Sequence, residues 1–89
     1  MKYKLFYTTK AKKDLFNLDL QITDHILDKI DFYIETGEPI RYAKKLVSSK
    51  LGTYRFRIGD YRAIFDVDSK GNIVILIILR IKHRKEVYL

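Results

Sequence analysis

The spacing of apolar positions along this 89-residue chain changes from strand-like to helix-like and back again. Residues 2–7 mix lysine with Tyr3, Leu5, Phe6 and Tyr7, which suits a first strand. Thr8 or Thr9 can then cap a short helix whose apolar residues Ala11, Leu15 and Leu18 are spaced i, i+4, i+7. Asp19 or Thr23 opens a longer helix with Ile22, Ile26, Leu27, Ile30, Tyr33 and Ile34 in one stripe, stopped by Gly37 and Pro39. Residues 40–52 read as a basic connection closing at Gly52, and three strands follow at about 53–58, 61–67 and 73–81. The order β-α-α-β-β-β predicts an α+β fold. Residues 1–89 form a single domain with a mainly antiparallel four-stranded sheet and a helical hairpin packed on one face.

The most informative stretch is Tyr54-Arg-Phe-Arg-Ile-Gly-Asp-Tyr-Arg62. A two-residue turn at Gly59-Asp60 pairs Ile58 with Tyr61 and Arg57 with Arg62. Period-2 alternation then puts Tyr54, Phe56, Ile58, Tyr61, Ala63 and Phe65 on one face, and Arg55, Arg57 and Arg62 on the other. Like charges directly opposite each other cost roughly 0.2–1 kcal/mol. A sequence that accepts this cost holds its guanidinium groups ready for an anion, of which phosphate is the leading candidate.

The last strand is apolar on both faces, as a central strand can be. If residues near 67 and 73 pair across the Asp68–Asn72 turn, Ile75, Ile77 and Leu79 lie over the helices. Val74, Leu76 and Ile78 then share the arginine face with Arg80 and Lys82. That places an apolar strip beside a basic groove, a surface suited to a partner protein.

Composition narrows the classes. With 47% hydrophobic residues the chain can bury a core, and without cysteine it has neither disulfides nor a thiolate metal site. The N-terminus lacks the apolar stretch of a signal peptide, and the run from Ile73 to Leu79 is far too short to span a membrane. A soluble, cytoplasmic protein is expected. Eighteen Lys+Arg against 11 Asp+Glu leave +7, which favours a polyanionic partner. The charge is polarised: residues 14–38 carry seven acids and one lysine, whereas residues 41–62 carry seven Lys+Arg and one aspartate.

Antiparallel return brings Arg80 and Lys82 towards Arg57 and Arg62, with His83, Arg84 and Tyr88 following. Cations can stabilise the extra charge at a phosphate undergoing attack, and acid–base groups can move the protons. Tyrosine can stack on an unpaired base. Each residue also has a plainer role: Arg55 and Arg57 as solubility charges, Tyr61 as core, Tyr88 as a terminal residue, His83 as a structural group, Lys44 and Lys45 as solvated lysines. No metal is called for, and GxGxxG, P-loop, HExxH and nucleophile-elbow motifs are absent.

The pairing of Tyr54-Arg-Phe-Arg-Ile-Gly-Asp-Tyr-Arg62 with His83-Arg-Lys-Glu-Val-Tyr88 resembles the RelE/ParE superfamily of type II toxins. Tyr7-Thr-Thr-Lys-Ala-Lys-Lys-Asp-Leu15 and the Leu46…Leu51-Gly52 approach to the hairpin are similar to it too. The resemblance implies a toxin neutralised by a cognate antitoxin. For RelE-like members it implies a metal- and cofactor-independent endoribonuclease that cuts mRNA in the ribosomal A site, by attack of the 2′-hydroxyl on the adjacent phosphate. Carried over by motif, the catalytic set is Arg55, Arg57, Arg62, Lys82, Arg84 and Tyr88. Arg62 holds the scissile phosphate, Lys82 and Arg84 offset developing charge, and Tyr88 orients the nucleotide. Lys44, Lys45, Arg80 and His83 extend the RNA surface, and Val74, Leu76 and Ile78 meet the antitoxin. The family often has lysine where Arg57 stands and arginine where Lys82 stands, so Lys82 becomes the candidate titrating group. Two other readings remain open: a ParE-like inhibitor of DNA gyrase, and an RNA-binding module without chemistry.

Overall fold

The computed structural model describes residues 2–47 and 50–87. The chain forms β1 (Lys2–Tyr7), α1 (Thr9–Phe16), α2 (Leu20–Glu35), a 3-10 turn (Pro39–Tyr42), β2 (Ala43–Lys45), β3 (Tyr54–Ile58), β4 (Tyr61–Lys70), β5 (Ile73–His83) and α3 (Arg84–Val87). The strands make one sheet in the order β1-β5-β4-β3-β2, parallel between β1 and β5 and antiparallel elsewhere. The α+β class is as expected, with five strands instead of four. The extra strand, β2, lies inside the basic connection. Its three residues, Ala43-Lys-Lys45, carry no alternation long enough to show in sequence, and pairing with β3 is what makes them a strand.

Local chemistry sets the helix ends. Thr8 caps α1, its hydroxyl accepting a hydrogen bond from the Ala11 amide at 3.1 Å. Gly37 at φ 79° ends the α2 region in the left-handed conformation that glycine adopts without strain. Ala11, Leu15, Ile26, Ile30 and Tyr33 bring the helices onto one face of the sheet, where they meet Phe56, Ala63, Phe65, Leu76 and Ile78.

The β4–β5 register differs from the expected one, with consequences for which residues face the helices. The turn is tight, Lys70 pairing with Ile73, so Val67 lies opposite Leu76 and not opposite a residue near 73. An odd slip exchanges the two faces of a strand. Val74, Leu76 and Ile78 are therefore 6%, 0% and 0% exposed, in the core beneath the helices. The reading that set them on the arginine face as an antitoxin strip is corrected: Ile73, Ile75 and Ile77 face that side, next to Lys2, Lys4 and the 56%-exposed Phe6 of β1.

A bulge between Ile64 and Phe65 then adds one residue to β5 and restores the expected facing beyond it. Ile64 pairs with Arg80, and Arg62 pairs with Lys82.

Where β1 stops, α1 covers the remaining edge of β5. The Asp14 carboxylate accepts from the Ile81 amide at 2.9 Å, and the Thr8 hydroxyl donates to the Leu79 carbonyl at 2.9 Å. On the face away from the helices, the segment before β3 closes over Ile64 and Leu79. The Thr53 amide donates to the Asp66 carboxylate at 2.8 Å. A Cβ on Gly52 would lie 2.7 Å from Ile64 Cγ2 and 2.9 Å from Leu79 Cδ1, closer than carbon atoms pack. Gly52→Ala should lower stability by about 1–3 kcal/mol through overpacking, read as a fall in Tm. An unchanged Tm would mean that this segment does not seat on the sheet.

Candidate functional site

The open face of the sheet carries its cations in transverse rows. Arg57, Arg62 and Lys82 are cross-strand partners on β3, β4 and β5, and form the first row. Lys44, Arg55, Ile64 and Arg80 form the second, running from β2 to β5. Directly opposed residues have Cβ atoms about 4.5–5.5 Å apart, so the first row concentrates three positive charges with a like neighbour on each side of Arg62.

Arg62 is the centre of this arrangement and is only 5% exposed. Its Nη1 donates to the Gly59 carbonyl at 2.9 Å and to the Tyr61 carbonyl at 2.8 Å, which fixes the guanidinium against the β3–β4 turn. Its Nε has no hydrogen-bond partner among the described residues. No carboxylate pairs with it among those residues either, whereas Lys82 lies 3.6 Å from Glu86 and Arg84 lies 3.7 Å from Asp60. A buried charge without a counter-charge is costly, several kcal/mol in typical sites, so the group is set to gain an anion.

Tyr42, Lys44, Arg55, Arg57 and Arg62 line a cavity of about 160 Å³ on this face. Tyr42 is the member that sequence reasoning missed. It stacks on Tyr33 with centroids 4.7 Å apart and meets the edge of Phe32 at 6.3 Å. The available signal was an aromatic residue directly before the basic Ala43-Lys-Lys45 segment. A roomier cleft of about 470 Å³ lies between α1 and α2, lined by Tyr7, Leu15, Leu18, Thr23 and Leu27 with Lys12. Its lining is mainly apolar and suits phosphoryl chemistry poorly.

The other expected residues divide by face. Lys45 pairs with Tyr54, and His83 pairs with Tyr61 and meets its ring edge-on at 5.4 Å, so both sit on the helix side of the sheet. The His83 Nδ1 accepts from the Lys85 amide at 3.2 Å, a structural role at the start of α3. Their assignment to the RNA surface is corrected on that ground. Arg84 opens α3, and its amide donates to the Asp60 carbonyl at 2.7 Å, which docks the helix on the hairpin turn. Tyr88 lies outside the described residues.

Arg80 faces the open side but is engaged by Asp14 through two hydrogen bonds, Nε at 2.8 Å and Nη2 at 3.0 Å. Burial of Asp14 opposes its charge, yet the Arg80 bonds and the Ile81 amide outweigh it and hold the carboxyl below its ordinary value. Arg80 thus braces α1 against β5 and is less available to an outside anion than Arg57 or Arg62. Among the described residues no three of His, Cys, Asp or Glu converge as metal ligands, and no helix is long and apolar enough to cross a membrane.

The ParE toxin model of the type II toxin–antitoxin system parDE matches residues 5–88. The chain belongs to the RelE/ParE superfamily of type II toxins. Toxin RelG of Mycobacterium tuberculosis (strain ATCC 25618 / H37Rv) is 33% identical over 88 residues, 99% of this chain and 98% of that toxin. In the crystal structure of the toxin–antitoxin complex RelBE2 from Mycobacterium tuberculosis, a chain 31% identical superposes with a TM-score of 0.71, covering 94% of this chain and 100% of that one. The archaeal RelE–RelB complex from Pyrococcus horikoshii OT3 contains a chain 25% identical, with a TM-score of 0.65 over 94% of this toxin and 97% of its own length.

The Asp14–Arg80 contact of this toxin gives a pH signature. A carboxyl whose folded pKa is depressed adds stability above its unfolded value, near 3.8, and loses it as the pH falls through the folded value. Asp14→Asn should therefore melt below the wild type at neutral pH, and the gap should narrow as the pH is taken below about 4. A gap independent of pH would contradict the assignment.

Proposed function

We propose that this toxin is a ribosome-dependent endoribonuclease that cleaves mRNA in the A site. The observation that supports it best is the Arg57–Arg62–Lys82 row with the buried Arg62, which no carboxylate pairs among the described residues, at its centre. In this reading the RNA 2′-oxygen bonds to the adjacent phosphorus while the bond to the 5′-oxygen breaks. The products are a 2′,3′-cyclic phosphate and a 5′-hydroxyl end. One proton leaves the 2′-hydroxyl and one reaches the departing oxygen. Arg62 holds the scissile phosphate and Arg57 offsets the charge that gathers on it. Lys82 moves a proton, because arginine stays charged throughout the accessible pH range. Arg84 and Tyr88 extend the site from the chain's end, Tyr88 orienting a nucleotide by stacking.

The ribosome supplies substrate positioning, so a site without a dedicated histidine or carboxylate base suffices. The reaction sets the protein in the cytoplasm beside translating ribosomes. Both RelBE2 and the Pyrococcus RelE–RelB structure are toxin–antitoxin complexes, and a cognate antitoxin is the expected partner here. The strip of Phe6, Ile73, Ile75 and Ile77 beside the cationic rows suits its apolar side chains, and acidic residues from it neutralise the arginines.

A second reading is favoured by the matching family model, which is that of a ParE toxin. It makes the protein a DNA gyrase inhibitor without nuclease activity. Brief induction followed by mapping of mRNA 5′ ends separates the two. Codon-phased 5′ ends that depend on Arg62 support cleavage, and a DNA-damage response without new ends supports gyrase. In the cleavage assay on programmed ribosomes, Lys82→Arg should remove the limb of the pH–rate profile that reports proton abstraction. An unchanged profile would exclude Lys82 as the titrating group.

A further inference from the structure

Arg55, given a catalytic role by resemblance alone, belongs to the second row of cations, which lies beside the Arg57–Arg62–Lys82 row and not within it. Lys44 and Arg55 are cross-strand partners one step along the strands from Arg57 and Arg62. Residues two apart on one face of a strand are separated by about 6.6 Å, which is comparable with the step between neighbouring phosphates on an extended nucleic-acid strand. Tyr42, the residue directly before β2, joins Lys44, Arg55, Arg57 and Arg62 in lining the cavity shared by the two rows. This ring is 45% exposed and held in place by its stack on Tyr33. A fixed aromatic beside a phosphate-sized step is the combination that single-stranded nucleic-acid grooves use, because every base has a face to stack.

We infer that the cavity between β2 and β3 is a second nucleotide subsite, in which Lys44 and Arg55 hold the phosphate next to the scissile one and Tyr42 stacks on the base attached to it. The inference rests on the ribonuclease reading only for which phosphate is scissile; binding itself requires no cleavage. The subsite accepts any base, since stacking carries little sequence information and the cations that line the cavity are assigned to phosphates. A segment bound this way lies across β3 and β4, with its bases turned towards the β2 edge of the sheet.

The test is titration of the full-length toxin with a short RNA made uncleavable by 2′-deoxy substitution, followed through the Tyr42 ring resonances and those of the arginine side chains. The same RNA lacking one base, and inorganic phosphate alone, serve as controls. The wild type should show a large ring-current shift at Tyr42 with the complete RNA. It should bind the RNA lacking the stacked base about 5- to 100-fold more weakly. Tyr42→Ala should bind both RNAs equally, at the weaker affinity, and Tyr42→Phe should retain the preference. Lys44→Ala, at an exposed position, should lower the dependence of log affinity on log salt by about one unit. A wild type that gives no Tyr42 shift, or Tyr42→Ala and Tyr42→Phe variants that lose affinity equally, would overturn the subsite. Ribosomal cleavage by the wild type is scored separately. Intact cleavage with a silent Tyr42 removes only the subsite, and a Tyr42 response without cleavage removes only the nuclease.

Discussion

Everything on the open face follows from a guanidinium held where water can hardly reach it. Arg62 gives its Nη1 hydrogens to two carbonyls of the hairpin turn, and those neutral groups orient the charge without cancelling it. Arg57 and Lys82 on either side raise the local potential further. In a folded protein such an arrangement is a cost, because a buried ion is stabilised by an opposite charge far better than by dipoles. It becomes an asset when an anion arrives, since the desolvation has already occurred and the donors are already aimed. In the proposed reading the site is a preorganised anion receptor whose stability penalty is offset on binding.

The fold supplies what this receptor needs. The Gly59-Asp60 turn brings Arg57 opposite Arg62, and the β4–β5 bulge brings Lys82 opposite Arg62 from the other side. Without the extra residue on β5, Lys82 would share a face with the core and the row would lose its third charge. The bulge thus reconciles two demands on one strand. Before it, β5 gives Val74, Leu76 and Ile78 to the helices; beyond it, Arg80 and Lys82 face the other way. Asp14 contributes from α1 by closing the free edge of β5 and by taking up Arg80, which leaves Arg57, Arg62 and Lys82 as the concentrated charge.

The hairpin and its arginine pairing were legible because turn chemistry at Gly59-Asp60 fixes the register within a few residues. Helices α1 and α2 were legible from their period and from the Thr8 and Gly37 signals at their ends, whereas the four-residue α3 was too short to show a period. The β4–β5 pairing was not, because β5 is apolar on both faces and either register buries a hydrophobic row. A slip there inverted Val74, Leu76 and Ile78 while the bulge left Arg80 and Lys82 facing as expected. β2 and Tyr42 were hidden for a different reason. Three residues make a strand only when β3 is already present to pair with them, and Tyr42 reaches the cations only through that pairing. The parallel docking of β1 against β5 likewise depends on contacts between the two ends of the chain.

The most direct measurement compares the wild type with Arg62→Met in thermal melts, with and without a short uncleavable RNA. If Arg62 is a receptor held at a cost, the variant should melt at or above the wild-type temperature when no RNA is present, and RNA should raise Tm clearly more for the wild type than for the variant. A variant that melts well below the wild type yet responds to RNA as the wild type does would make Arg62 a strut for the turn, and the account of the site would fail.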